Sequence, residues 1–502
     1  MSNIISRLNN WQLAIISGIL IGISYHPIHL GLLVYVGFLP IFHSWFISRV
    51  KTNIVSGYLF GFIYNLISNY WMATNSGAEP IVVFFSLLAA TIYLSIFWAL
   101  IGGVLGFIEK PIYRLLIFPF LIVSMEWIRS FGPLGFTMGN LAITQMDFLP
   151  LLQYIEYAGS YIITFWIISI NVLLYYHIFI NKLLKQEFKL IIITLMLIIG
   201  FGWSKIYSVL NQKNGSELSI AVIQPNLDPN EKWDRATREL TINIMDSLHQ
   251  IAIDLEPDII LFPETALPAY LRLNNKIRQQ LQNHVDQSKI PILIGTVDRR
   301  FDDEGRKLYY NSSMYISPGK NYLMYDKIHL VPFAEYDLVP WLLHPLGELN
   351  LNIDRGIFMG GVSYTLFSHK GINFSNLICY ESTLPRYARK FIKNGAKFLM
   401  IQANDGWLGE SAGPYQHFEN ARLRAIENRV SVVRSGNTGI SGVILPNGKV
   451  KKKISLGEQV VFKESIVLGS VGSIYSKYGD VFASLCFVIS LFIGFVVSCI
   501  KK

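Results

Sequence analysis

Asn376-Leu377-Ile378-Cys379-Tyr380-Glu381-Ser382 is the stretch on which the fold turns. An apolar run short enough for a buried strand ends on a thiol and enters a polar turn. Two other segments have the same form. In Leu261-Phe262-Pro263-Glu264-Thr265 an apolar run meets a proline and delivers a carboxylate at its end. Tyr325-Asp326-Lys327-Ile328-His329-Leu330-Val331-Pro332-Phe333-Ala334-Glu335-Tyr336 sets a lysine and a second acid among apolar neighbours, as partly buried charges are set. Strand ends are where layered α/β folds keep their chemistry.

Outward from these segments the pattern alternates. Leu218–Gln224 reads as a strand ending at Pro225, and 229–254 has helical spacing. Asp258–Phe262, Pro291–Val297, Tyr309–Ile316, Ile372–Cys379 and Phe398–Ala403 are short apolar strands rich in β-branched and aromatic residues. A helix follows at about 415–429, then strands at Val430–Arg434 and Gly439–Val450, the latter with an Asn447-Gly448 hairpin turn. Alternating strands and helices predict an α/β layered sandwich.

The rest of the chain has a different composition. Of 502 residues, 52% are hydrophobic and only 15% charged. The deficit is local: residues 1–203 carry 9 Lys/Arg and 6 Asp/Glu, roughly 7% charged, against about 21% for the remainder. Spanning a bilayer core takes about 20 apolar residues. Seven such runs precede the globular part, at about 11–28, 30–48, 54–73, 81–108, 114–132, 150–180 and 189–207, and an eighth occupies about 481–500. A cleaved signal peptide at the first run is disfavoured, because no small-residue cleavage site follows before Tyr25-His26-Pro27. One side of the membrane collects Arg7, Arg49, Lys51, Lys110, Arg114, Lys182, Lys185, Lys189, Lys501 and Lys502, and the other only Arg129. That bias places both termini in the cytoplasm and residues 208–480 outside. The expected division is a membrane domain over 1–207, a catalytic domain over 208–480 and a C-terminal span over 481–502.

Three segments near this junction stay open. Glu126 and Arg129, three apart on one helical face, form an interfacial ion pair or receive a lipid head group. The loop Phe131–Gln145 is a mobile gate or a re-entrant connector. Trp341-Leu342-Leu343-His344-Pro345-Leu346, with Leu349, Leu351 and Phe358, is core or a lip resting on the outer leaflet.

A lone Glu, Lys or Cys is normally a surface or core residue, and it is their combination that carries chemistry. The thiolate is the nucleophile, and a nearby ammonium both favours it and binds a developing oxyanion. A carboxylate takes the thiol proton and returns it to the leaving group. Glu264, Lys327 and Cys379 therefore make an acyl-transfer set acting through a thioester. Cys379, Cys486 and Cys499 form neither a disulfide framework nor a zinc pattern, and His329 and His417 offer no ligand set of correct spacing, so no metal and no cofactor is expected. A net charge of +9 without a long basic block gives no sign of a nucleic-acid partner. Gly-x-Ser-x-Gly and phosphate-loop motifs are absent from the sequence. Asn404-Asp405-Gly406-Trp407 lines the substrate mouth or simply closes a strand, and Arg422, Arg424 and Glu427 read as a structural ion-pair network.

The order Phe-Pro-Glu-Thr, Lys-Ile-His-Leu-Val-Pro-Phe, Cys-Tyr-Glu-Ser resembles the carbon–nitrogen hydrolase (nitrilase) superfamily. With seven helices before it and one after, the whole chain is similar to that superfamily's membrane-embedded apolipoprotein N-acyltransferase family. The resemblance implies a multi-span helical membrane domain joined to a nitrilase-like α-β-β-α sandwich in the bacterial inner membrane. It implies that an acyl chain passes from a phospholipid to the α-amino group of a lipoprotein's diacylglyceryl-modified N-terminal cysteine. It also implies a ping-pong course through an acyl-enzyme; a monomer is expected. By the same resemblance Glu264 is the general base, Lys327 the partner of oxyanion and thiolate, and Cys379 the nucleophile. Glu335 is a second acid holding the site, Tyr380 and Glu381 follow the nucleophile, and Trp233 lies near it. The chain departs from the family at Ala334, where Gly is common, and after Tyr336. The alternatives are a membrane-tethered amidase or nitrilase with water as acceptor, and a non-catalytic scaffold or transporter with a degenerate domain.

Overall fold

Period-two alternation builds the centre of the globular part. The computed structural model describes residues 5–181, 184–210, 217–319, 321–336, 358–468 and 472–499. Along β1 (Glu217–Gln224), Ile220 and Val222 face one core while Ala221 and Ile223 face another. β2 (Ile259–Leu261) and β3 (Ile292–Phe301) run parallel to it, followed by antiparallel β4 (Lys307–Ser317) and β5 (Asn321–Asp326). The second half repeats the plan with β6 (Phe367–His369), β7 (Ile372–Ile378), β8 (Leu399–Ala403), β9 (Val432–Gly436), β10 (Ser441–Ile444) and β11 (Val450–Ile454). β12 (Val460–Val467) returns to pair antiparallel with β1. The result is two six-stranded mixed sheets, β12-β1-β2-β3-β4-β5 and β11-β10-β9-β8-β7-β6.

The sheets stack face to face. Ile220, Val222, Leu261 and Leu293 of one share a core with Phe374, Leu377, Leu399 and Ile401 of the other. Helices Arg238–Asp254 and Asn275–Ser288 cover the outer face of the first sheet through Met245, Leu248, Leu281 and Val285. Helices Pro385–Lys393 and Ala412–Asn428 lie on the second. This is the α-β-β-α sandwich that the resemblance implied. One boundary differs from the sequence reading. Helix does not begin at 229 but at Arg238, because Asp228 closes a turn by accepting from the Asn230 amide at 2.8 Å. Edge strands β5, β6 and β12 and the helices at 275–288 and 385–393 add to the elements that the sequence pattern predicts.

The N-terminal part inverts the usual burial rule. Ile81, Phe84, Phe85, Leu100, Phe107, Leu116, Met196 and Leu197 are exposed, as are Phe492 and Phe495 of the last helix. Four helices, Pro80–Phe107, Pro111–Arg129, Tyr161–Ile180 and Lys189–Val209, are long and apolar enough to cross a bilayer, and Asn10–Gly22, Gly31–Ile47 and Val481–Val496 are shorter apolar helices. An apolar shell around helices of this length makes this a membrane protein. The run expected as one span at 150–180 is broken into Leu149–Leu152, Ile155–Ala158 and Tyr161–Tyr175, because Gly159 takes φ +72° between the last two.

Helix Ala412–Asn428 joins the two parts. Its Phe418, Ala421 and Ala425 pack on the sheet, while Leu423 and Ile426 belong to the core of the membrane helices. Gln416 accepts from the Trp71 indole at 3.1 Å and donates to the Ser68 carbonyl at 2.9 Å, and Arg422 donates to the Met146 carbonyl at 2.9 Å. Arg424 pairs with Glu427 at 2.7 Å and Arg422 with Glu419 at 2.6 Å, a structural network of the kind expected, with Glu419 added.

Candidate active site

Cys379 stands one residue beyond β7 at φ +51°, a left-handed conformation that an L-residue holds only under constraint. Glu264 lies three residues beyond β2 in a loop seated on β3. A Cβ at Gly295 would come within 2.6 Å of the Glu264 Cα, so only glycine admits the loop there. Lys327 follows β5 directly. The three segments come from three strand ends and meet in one buried site.

The Cys379 thiol and the Glu264 carboxylate lie close enough for each to feel the other's charge. The Lys327 ammonium, 1% exposed, sits 2.7 Å from Glu335 and 4.0 Å from Glu264. Asn311 on β4 divides its amide between the two acids, donating to Glu264 at 2.7 Å and to Glu335 at 2.8 Å. Glu335 also accepts from the Val331 N–H at 2.8 Å, which ties the loop after β5 to its own lysine.

Burial dominates the electrostatics. It raises the Cys379 thiol well above its ordinary range, and the nearby Glu264 charge adds to this while Lys327 opposes it. Burial also raises Glu264, with Lys327 pulling it back down. Lys327 is raised although burial alone would lower it, because Glu335, Glu264 and Cys379 surround it. Lys327 is thus a fixed cation, and the Glu264–Cys379 pair is poised to trade one proton.

Glu381 faces away from this exchange. Fully buried, it accepts from Tyr325 at 2.7 Å, Ile328 N–H at 2.8 Å, His329 N–H at 3.2 Å and Ile378 N–H at 3.1 Å. It clamps the lysine loop to the turn at Cys379. Tyr380 points toward the membrane part, where its hydroxyl donates to the Gly135 carbonyl at 2.8 Å and its ring packs near Trp71, Leu94 and Phe136. The loop 131–145 is thus largely buried, and Gly135 meets the turn after Cys379. Trp233 is 40% exposed, and no hydrogen bond or ring contact joins it to the triad among the described residues. Its neighbour Lys232 reaches inward instead, donating to the Thr265 carbonyl and hydroxyl at 2.9 Å each. Burial lowers that lysine to about 8, with Glu264 opposing. Glu126 and Arg129 bind separate partners: Glu126 accepts from the Leu141 N–H and Thr164, and Arg129 donates to Asn140. The segment 341–357 lies outside the described residues.

Asn311, Lys232 and Gly295 went unread, since an Asn within a strand, a Lys in a polar turn and a Gly in an apolar run carry no distinctive spacing. Asp405 and His417 also gather here, each with a potential ligand atom within 4.8 Å of the Cys379 sulfur. Arg434 already contacts both, a fixed cation where a metal would place its charge.

The sandwich gathers Glu, Lys and Cys at its strand ends, and residues 219–475 match the family model "Carbon-nitrogen hydrolase". The chain belongs to this family. Residues 17–173, which hold most of the exposed apolar helices described above, match a second model, "Apolipoprotein N-acyltransferase N-terminal domain". Relatives named apolipoprotein N-acyltransferase include one from Geobacter metallireducens, 29% identical over 95% of this chain and 93% of that protein. Another, from Chlorobaculum tepidum, is 27% identical over 98% and 97%. Among solved structures, an amidase from Nesterenkonia sp. aligns with 54% of this chain and 97% of its own, at 16% identity and a TM-score of 0.40.

Proposed function

We propose that this chain is an apolipoprotein N-acyltransferase that moves an acyl chain from a membrane phospholipid to the α-amino group of a lipoprotein's diacylglyceryl-modified N-terminal cysteine. The observation that carries this reading is the placing of the Cys379, Glu264 and Lys327 set against the membrane part, with Tyr380, beside the nucleophile, bonded to Gly135. The name shared by relatives along nearly the whole chain supports it. A hydrolase of small polar amides has no use for such a neighbour.

In the first step Glu264 takes the thiol proton as Cys379 sulfur attacks the phospholipid ester carbonyl. Lys327 and the Tyr380 backbone N–H hold the oxyanion. The C–O bond breaks, the leaving alkoxide recovers the proton from Glu264, and a lysophospholipid departs from the thioester. In the second step the acceptor amine attacks that thioester, Glu264 takes its proton, and the amide forms as the thiolate leaves toward Lys327. The thiolate then regains the proton. Glu335 and Asn311 hold the lysine and the base in place.

The Lys/Arg asymmetry supports cytoplasmic termini, seven spans in 1–207, an outward-facing domain over 208–480 and a final span over 481–502 in the bacterial inner membrane.

The test is incubation of the purified protein with phospholipid and no acceptor, read by intact mass. The expected result is a gain of one acyl chain on Cys379 that neutral hydroxylamine removes and a lipoprotein acceptor discharges. Full-rate transfer with no adduct at any time overturns the nucleophile assignment. Discharge by water as fast as by acceptor favours the hydrolase alternative.

A further inference from the structure

The nucleophile's strained backbone has a brace that the triad does not use. The Cys379 carbonyl accepts from the His417 Nε2–H at 3.0 Å and from the Ser382 hydroxyl at 2.7 Å, and those two donors lie 3.0 Å apart. On the other side of the ring, Nδ1 lies 2.8 Å from an Asp405 oxygen and 3.1 Å from the Arg434 guanidinium. Arg434 also binds the second oxygen of Asp405 and donates to the Ile440 carbonyl at 3.0 Å.

The assembly is built from separate elements. His417 comes from helix Ala412–Asn428, Asp405 from the turn after β8, and Arg434 from β9. His417, Asp405 and Arg434 are 4%, 2% and 0% exposed. A Cβ at Gly439 would fall 2.6 Å from the Asp405 carboxylate, so room for the pair depends on a glycine. Burial would raise the Asp405 carboxyl, but Arg434 and His417 outweigh it and hold it at about 2.

We infer that His417, oriented by Asp405 and Arg434, is a positioning residue that fixes the Cys379 carbonyl and thereby the left-handed backbone aiming the sulfur at Glu264. A left-handed cysteine is not held by its own preference. Without the ring, the carbonyl is left with donors from its own short turn only, and the peptide can rotate toward the extended region that the strand before it already occupies. A misplacement of about 1 Å at a reacting atom costs on the order of 10²-fold in rate. Asp405, a negative charge that works against thiolate formation, is meanwhile kept neutralised by its two partners.

The inference rests on Cys379 being the nucleophile, so two readouts are used on the full-length protein. The first is single-turnover acylation from phospholipid, and the second is alkylation of Cys379 by iodoacetamide, which needs no acyl donor. His417→Phe keeps the ring volume and loses the donor. It should slow acylation by on the order of 10²-fold with KM for the donor unchanged, and shift the alkylation rate at least fivefold. His417→Gln, whose Nε2–H reaches the same carbonyl, should restore both to within about threefold of wild type. If the Phe variant does not fold, His417→Asn replaces it, since its shorter amide stops before the carbonyl. The inference is overturned if Phe or Asn alkylates and acylates within twofold of wild type, or if Gln is no better than they are. Wild-type protein that alkylates normally but forms no acyl-enzyme instead sinks the functional reading, while the alkylation series still decides the role of His417.

Discussion

Asn311→Leu removes the one amide that both carboxylates share while nearly conserving volume. The structure gives the bonds at stake, 2.7 Å to Glu264 and 2.8 Å to Glu335, inside a site where Asn311 is 3% exposed and water cannot replace the lost donor. A hydrogen bond to a charged group contributes about 1.5–3 kcal/mol. Only the bond to Glu264 bears on the ionised base, because Glu335 keeps Lys327 and the Val331 N–H. At about 1.4 kcal/mol per factor of ten, acylation at neutral pH should fall by roughly ten- to a hundredfold. The sign with pH follows from the same bond. Asn311 favours the charged form of Glu264, so its loss raises that carboxyl further, and the ascending limb of the rate profile moves to higher pH. Rapid-quench acylation from phospholipid between pH 6 and 9 measures both effects. A variant whose limb stays at the wild-type position, or whose rate is depressed equally at every pH, refutes the assignment of Glu264 as the base that Asn311 tunes.

Three further outcomes are expected. His249, which burial lowers from 6.5 to about 3, is neutral in the fold, so its stabilising contribution is complete above about 6.5 and is lost as pH falls toward 3. His249→Phe should flatten that acid slope in thermal melts, and an unchanged slope counts against it. Reporter fusions after Lys185 should read as cytoplasmic and those near Lys451 as external, and a cytoplasmic signal near Lys451 ends the topology and the lipoprotein reading together. Replacing Trp341 and Leu342 by Ser should weaken acylation from bilayers yet spare a short soluble thioester donor, whereas equal loss on both donors means that these residues serve folding.

The central strands were legible because alternating apolar residues in β1, β2, β7 and β8 must face two different layers at once. β12 is not marked by an apolar run, because Lys463, which is exposed, and Glu464, which pairs with Lys451 at 2.8 Å, interrupt it at a sheet edge. β5 was hidden inside the polar approach to Lys327. At the site, charges among apolar neighbours announced Lys327 and Glu335, and a thiol at a strand end announced Cys379. Asn311 gave no such signal, since its value lies in a distance across the sheet. Lys232 gave no signal either, because a lysine in a polar turn reads as a surface residue and its bonds to Thr265 exist only in the fold. His417 was set aside for lack of ligand spacing, yet its partners Asp405 and Arg434 meet it only through the fold.

Helix Ala412–Asn428 has no face left for solvent. A fragment cut to the sandwich alone would bare Leu423, Ile426 and Arg422 and lose the carbonyls of Ser68 and Met146 that its side chains bind. The same helix carries His417, whose Nε2 lies 3.0 Å from the Cys379 carbonyl, so damage to the helix's far side reaches the cysteine through a single side chain. Excision should therefore give an aggregating domain with a slack nucleophile, and a water-soluble derivative would first need that face redesigned with polar residues that leave Gln416 and His417 in place.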